Sequence, residues 1–315
     1  MRVKLPTVNR PLKIGTRGSP LALAQAYETR DRLCQAFDIE ATAFKIVIIK
    51  TTGDKVQDRP LKELGGKGLF TREIEDALLS TKIDVAVHSM KDMPVQQPQE
   101  LLLDTCLKRE DVRDAFVSPV FDSIESLPSG TLVGTSSIRR KAQLLNKRPD
   151  LNVIEFRGNV QTRLKKLQDG IASCTFLAMA GLNRLDMAHV VQSAIDVNYM
   201  LPAVAQGVIG IERRAADTNT ALLLEAIHDV STGLRLTAER AFLRALDGSC
   251  ETPIAGLAEL DGGQIRLRGE VLRPDGSEAI QLDLSAPAED GHALGTALAN
   301  KIFAKAGPDF FDWRQ

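Results

Sequence analysis

Arginine placement is the most chemically pointed feature of this chain. Arg17, Arg139, Arg140, Arg157, Arg163 and Arg184 each stand at or just beyond the end of a strand-like run, the edge at which open α/β sheets hold their ligands. Planar guanidinium forks match carboxylate or phosphate oxygens. The set therefore points to a ligand with several negative charges, a better reading than solvated surface arginines. Arg139 and Arg140 fall in the first turn of a helical pattern, where a cation opposes the helix dipole and a bound anion would offset the cost. A phosphate loop is not expected. Leu64-Gly65-Gly66-Lys67-Gly68 lacks the Walker spacing and the Ser/Thr after lysine, and no GxGxxG occurs. Thr51 to Gly68 reads instead as a long loop, a lid made cationic by Lys55, Lys62 and Lys67.

His88-Ser89-Met90-Lys91-Asp92 follows a strand ending at Val87. A strand-end aspartate beside lysine suits a catalytic carboxylate, and equally a turn aspartate bonded to its own backbone. The four cysteines separate by context: Cys34, Cys106 and Cys174 lie in apolar patterns and read as buried structural residues. Cys250 sits in the polar, turn-rich stretch DGSCETP (247–253), where an accessible thiol serves as a nucleophile or an attachment point. No CxxC pair exists, and His88, His189, His228 and His292 stand alone, so no metal site is expected.

These groups need elements to hold them. Leu12–Thr16 is strand-like and leads into Ser19-Pro20, an N-cap with proline at the first helical position. Leu23, Tyr27, Cys34 and Phe37 then mark one helical face. Phe44–Ile49 and Ile83–Val87 read as strands around a helix at 69–79, and Leu101–Leu107 and Ala115–Ser118 as further strands. The pattern restarts with the strand 131–134, Ser136-Ser137 capping a helix to about Lys147, a strand at 153–156 and a helix capped by Asn159 that stops at Gly170. The strand Cys174–Ala178 and a short helix near Leu182 follow. Such alternation argues for α/β lobes with mostly parallel sheets. Gly-Thr at a strand end before a Ser-capped helix occurs twice, at Gly15-Thr16 and Gly134-Thr135. The echo is either ordinary capping or the mark of two similar lobes aiming helix N-termini at one anion.

From about Asp217 the texture changes. Helical patterns at 220–228 and 232–246 precede three strand-like runs, 254–260, 265–272 and 280–284, separated by Asp261-Gly262-Gly263 and Pro274-Asp275-Gly276. A final helix covers 293–304. This is an α+β module with an antiparallel sheet.

Composition narrows the classes. The 315 residues carry 40 Lys+Arg against 41 Asp+Glu, with 4% aromatics, so a generic nucleic-acid binder loses ground. The cysteines are too few and scattered for a disulfide framework. Met1–Pro11 has no apolar core and is not expected to act as a secretory signal, and no run of about 18 apolar residues predicts a membrane span. A reducing cytoplasm is the expected compartment.

Eight stretches in order carry a family resemblance: IGTRGSPLALAQ (14–25), GGKGLFTREIE (65–75), DVAVHSMKDMP (84–94), GTSSIRRKAQL (134–144), FRGNVQTRLKKL (156–167), LAMAGLNRL (177–185), LPAVAQGVIGIE (201–212) and LDGSC (246–250). Together they resemble the porphobilinogen deaminase family over nearly the whole chain. The resemblance implies two lobes like those of type II periplasmic binding proteins, with mixed, mostly parallel sheets, plus a C-terminal α+β domain. The implied division is 1–107 with 208–225, then 108–207, then 226–315, the chain returning to the first lobe near Gly207 to Arg213.

The implied activity joins four porphobilinogens head to tail with loss of ammonia, after which water releases hydroxymethylbilane. The primer would be a dipyrromethane cofactor held by a thioether to Cys250. Lys91, Ser137, Arg139, Arg140, Arg157, Arg163, Arg184 and Asp92 would surround the cofactor. Arg17, Ser19, Lys67, Arg157 and Arg163 would hold the substrate. Asp92 matches the family's catalytic aspartate. Among so many cations it is expected to stay ionised, stabilise the cationic pyrrole and leaving ammonium, and relay protons. Ser249 replaces a glycine common in the family and Glu251-Thr252-Pro253-Ile254 follows the cysteine; both leave Cys250 in place. The resemblance implies a monomer with a small-molecule substrate, without nucleic acid or membrane. A non-catalytic two-lobed anion-binding protein would explain the lobes and arginines, but neither Cys250 nor the third domain.

Overall fold

The computed structural model describes residues 3–52, 71–249 and 252–314. They fall into two compact units, Met1–Glu110 with Val208–Gly233 and Asp111–Gly207 with Leu234–Gln315. Strands and helices are numbered along the chain.

The first unit is built on a five-stranded sheet ordered β2-β1-β3-β10-β4. Its strands are β1 (Leu12–Thr16), β2 (Phe44–Ile48), β3 (Val85–Ser89), β4 (Leu101–Cys106) and β10 (Ile209–Arg214). β1 runs parallel to β2 and β3, while β10 is antiparallel to β3 and β4. Alternation along the strands sends Leu12, Ile14, Val85, Val87, Ile209 and Ile211 into a core that also takes Ala26 and Leu33 of helix α1 (Pro20–Phe37). Ala86 joins a second core with Ile74, Ala77 and Leu78 of helix α2 (Arg72–Leu79).

Helix α1 starts as its residues dictate: Ser19 Oγ accepts from the Ala22 N–H at 3.3 Å and Pro20 takes the first turn. Its buried face differs from the expected one. Tyr27 is exposed and stacks under Arg30, whereas Gln25, Ala26, Thr29 and Leu33 are buried. The polar pair goes inside because each finds a partner: Gln25 bonds Ser89, and Thr29 Oγ1 donates to the Gln25 carbonyl.

In the second unit the sheet order is β7-β6-β8-β5-β9, made of β5 (Asp114–Val117), β6 (Leu132–Gly134), β7 (Asn152–Ile154), β8 (Cys174–Ala178) and β9 (Ser193–Ala194). β6 is parallel to β7 and β8, and β5 lies antiparallel between β8 and β9. Three parallel strands thus stand in the same order in each sheet, β2-β1-β3 and β7-β6-β8, and an antiparallel strand, β10 or β5, follows beside the third. That shared order makes β1 and β6 matching strands, and the Gly-Thr echo of the sequence falls at the end of each. Helices α3 (Ile138–Lys147), α4 (Val160–Gln168) and α5 (Met179–Arg184) follow β6, β7 and β8.

The same unit holds an antiparallel sheet, β11 (Ile254–Asp261), β12 (Gln264–Leu272) and β13 (Ala279–Pro287). It packs with helix α8 (Gly291–Lys305) and with α7 (Val230–Ala245), which follows α6 (Thr218–Glu225). Gly276, in the β12–β13 turn at φ +78°, lies against the backbone of α3, where a Cβ would stand 2.6 Å from the Asn146 nitrogen. Asn146 Nδ2 donates to the Gly276 carbonyl at 2.8 Å, tying this sheet to the lobe.

Candidate functional site

In the first unit Arg17 and Ser19 follow β1, and Lys91 and Asp92 follow β3. Because β1 and β3 are parallel neighbours, these residues share one sheet edge. Lys91 and Asp92 lie in a single 3₁₀ turn, Met90–Asp92, closed by Met93 N–H donating to the Met90 carbonyl at 3.2 Å. Asp92 is exposed and Lys91 half-buried, while Met90 beneath them is buried. Gln25 and Ser89 exchange hydrogen bonds at 2.9 and 3.1 Å, fixing the strand just before the turn. Lys67 lies outside the described residues, as does most of the expected lid loop.

The second unit gathers the rest of the arginines. Ser137 caps α3, accepting from the Arg140 N–H at 3.4 Å, and Asn159 caps α4, accepting from the Thr162 N–H at 2.9 Å. Arg139 and Arg140 follow β6, Arg157 and Arg163 follow β7, and Arg184 ends α5 after β8. Parallel pairing brings all of them to one edge. Arg157, Arg163 and Arg184 are half-buried there; Arg163 Nε donates to the Gly158 carbonyl and Arg184 Nη2 to the Gly207 carbonyl.

Arg139 and Arg140 behave differently, turning inward with exposures of 4% and 5%. Their counter-ion is Asp114, at the start of β5 and fully buried. Asp114 Oδ1 accepts from Arg140 Nη2 at 2.7 Å, and Oδ2 lies 2.8 Å from Arg139 Nη1. The anion that offsets two cations at a helix N-terminus is thus supplied by the chain itself. Burial alone would push the Asp114 carboxyl up, but Arg139 and Arg140 outweigh it and hold the group well below the usual carboxylate range. Arg139 also donates to Gln143 Oε1 and the Leu201 carbonyl, Arg140 to the Phe176 carbonyl, and Gln206 Nε2 to Asp114 Oδ1. Gln143 Nε2 donates in turn to Glu270 on β12, whose carboxyl is pushed up by its burial.

Asp114, Gln143, Gln206 and Glu270 were not singled out in the sequence. The one available signal was a charged residue opening the apolar run after Arg113. Each of Arg139 and Arg140 keeps a buried Nε–H with no acceptor among the described residues. One carboxylate serving two buried guanidiniums leaves donors over, as fits a ligand that brings carboxylates.

Cys250 lies outside the described residues. The loop's flanks are tied together, Ser249 N–H donating to Thr252 Oγ1 at 2.9 Å and Thr252 Oγ1 to the Ser249 carbonyl at 2.7 Å. Cys106 and Cys174 are buried, and burial pushes both thiols up to about 12. Cys34 is only half-buried, because the face it shares with Phe37 lies at the margin of the α1 core. Among the described residues no group of three or more His, Cys, Asp or Glu could hold a metal ion, and no helix is long and apolar enough to cross a membrane.

Fold and site together define a two-lobed protein with cationic strand-end edges, extended by an antiparallel α+β domain. Residues 12–222 match the family model "Porphobilinogen deaminase, dipyromethane cofactor binding domain", and residues 234–304 match "Porphobilinogen deaminase, C-terminal domain". A porphobilinogen deaminase of Paracoccus denitrificans is 65% identical over 310 residues, covering 98% of this chain and 99% of the relative. A chloroplastic porphobilinogen deaminase of Pisum sativum is 50% identical over 307 residues, covering 96% of this chain and 83% of that protein. The chain belongs to the porphobilinogen deaminase family. Its activity is that of a hydroxymethylbilane synthase, a transferase of tetrapyrrole biosynthesis that polymerises porphobilinogen with a dipyrromethane cofactor.

Proposed function

We propose the following division of labour among this chain's residues. Cys250 carries the cofactor through a thioether. Arg139, Arg140, Arg157, Arg163 and Arg184, with Ser137 and Lys91, bind its acetate and propionate groups. When bound, the dipyrromethane supplies the terminal pyrrole carbon to which porphobilinogen is added. Arg17, Ser19 and Lys67, with Arg157 and Arg163, receive the carboxylates of the incoming substrate. Guanidinium forks suit this task because every pyrrole adds two carboxylates, so the required charge grows with the chain.

Asp92 contacts the reacting atoms. As ammonia leaves the substrate, its carboxylate offsets the positive charge left on the pyrrole, then accepts the proton displaced from the attacked ring carbon. The observation that carries this reading is the shared edge of the first unit. It sets an exposed carboxylate beside Lys91 and next to the strand end bearing Arg17. An exposed carboxylate at that edge can meet the cation that develops on the substrate pyrrole. We further propose three domains, 1–107 with 208–225, 108–207 and 226–315, in a monomeric cytoplasmic enzyme.

The test is Asp92→Asn, purified with its cofactor, supplied with porphobilinogen and followed by ammonia release. Loss of charge stabilisation and proton transfer should lower kcat by about 10²-fold or more. Turnover near the wild-type rate would remove Asp92 from the mechanism.

A further inference from the structure

A buried acid–base pair sits directly beneath the turn that carries Asp92. On β3 the even-numbered residues Ala86 and His88 face α2, and on β10 Gly210 and Glu212 share that face, since Gly210 pairs with His88 and Glu212 with Ala86. His88 Nε2 lies 3.1 Å from Glu212 Oε2, with exposures of 6% and 0%. The core on this face of the sheet is built of Ile74, Ala77, Leu78, Ile83, Ala86 and Leu101, with Glu75 of α2 close enough to feel the pair. Glu212 Oε1 has no hydrogen-bond partner among the described residues. Replacing a buried pair of this kind with hydrophobic residues of similar volume is often neutral or stabilising. A role beyond packing therefore needs to be found for it.

The turn above supplies that role. Asp92 is exposed on one 3₁₀ turn, a segment with almost no hold of its own. What fixes it lies in the strand ends below. Met90 N–H donates to the Val208 carbonyl at 3.0 Å, and Met90 fills the notch left by Gly210, where a Cβ would fall 2.0 Å from its sulfur. His88 stands between this notch and Glu212, opposite Gly210, so no cross-strand side chain presses on it from β10 at that rung. Among the described residues, the bond to Glu212 ties its ring across the strand pair. Glu75 of α2 senses the same pair. Its own burial raises its carboxyl most, Glu212 adds to that, and Thr71 and His88 pull the other way.

We propose that His88 is a positioning residue for Asp92: by donating Nε2–H to Glu212 it locks the last rungs of β3 against β10 and so fixes the turn that presents the carboxylate. This rests on the assignment of Asp92 to the reacting atoms. Catalytic geometry tolerates about 0.5 Å, and a misplacement of about 1 Å can lower the rate about 10²-fold.

The experiment compares His88→Leu, His88→Gln and Glu212→Leu in the cofactor-loaded enzyme, each alone and His88→Leu also in the Asp92→Asn background. His88→Leu and Glu212→Leu should each lower kcat about 10- to 100-fold while KM stays within about twofold. His88→Gln, which keeps a donor toward Glu212, should recover most of the loss. Amide exchange at Met93, whose N–H closes the turn, should quicken in His88→Leu and not in His88→Gln. In the Asp92→Asn background His88→Leu should add no more than about threefold, because both changes remove the same contribution. Should His88→Leu not fold, the Gln and Glu212 variants still decide. Unchanged kcat in Glu212→Leu, or failure of a well-folded His88→Gln to recover activity, overturns the proposal. An undiminished effect of His88→Leu on Asp92→Asn overturns it too, and leaves the Asp92 assignment standing. Wild-type turnover by Asp92→Asn itself would instead defeat the Asp92 assignment.

Discussion

Replacing Asp114 by asparagine should be among the most destabilising single changes in the second unit. The carboxylate is fully buried and serves two buried guanidiniums at once, at 2.7 and 2.8 Å. It also accepts from Gln206 at 2.9 Å. Asparagine keeps the shape, but it places an N–H₂ among N–H donors and leaves two cations without a counter-ion in a water-poor interior. Breaking a buried pair by removing one partner costs about 3–5 kcal/mol. For a folding unit of this size each kcal/mol is worth about 2–4 °C, so Tm should fall by about 6–20 °C.

The pH dependence follows from the direction of the Asp114 shift. Its carboxyl is held below the ordinary value, so the stabilisation is fully present above the unfolded pKa of about 3.9 and fades as pH falls toward the folded one. Denaturant melts of wild type and Asp114→Asn should differ by a constant amount from pH 5 to 8 and converge below about pH 4. A Tm change under about 2 °C at pH 7, or a gap that widens on acidification, would refute the reasoning.

Gly276→Ala should destabilise by about 1–3 kcal/mol, since a Cβ there meets the α3 backbone at 2.6 Å and the φ of +78° strains any L side chain; a denaturant titration measures it. Cys106 and Cys174, buried with thiols pushed up to about 12, should resist alkylation in native protein at pH 8, whereas half-buried Cys34 should react first of the three. Peptide mapping after a timed iodoacetamide pulse distinguishes them.

Much of the site could be read in advance because it obeys local rules. Ser19, Ser137 and Asn159 are N-caps whose side chains bond within three residues, and the strand-end arginines inherit their common edge from parallel pairing. Long-range satisfaction was not legible. Asp114 gathers Arg139, Arg140 and Gln206 from separate stretches, and no periodicity announces such a meeting. The α1 face was misjudged at Tyr27 for the same reason: Gln25 and Thr29 are buried by bonds to partners that hydrophobic spacing does not see. β9 is only two residues long, too short for an alternating pattern. In β10 the buried Glu212 breaks the apolar run, and its partner His88 lies 124 positions away.

The most direct test of the account is the intact mass of the purified protein and of Cys250→Ser. A covalent pyrrole adduct on the wild-type chain, coloured by a pyrrole reagent and absent from Cys250→Ser, is the expected result. A wild-type mass equal to that of the bare sequence, or an adduct that survives in Cys250→Ser, would contradict the assignment of Cys250 as the point where this enzyme holds its primer.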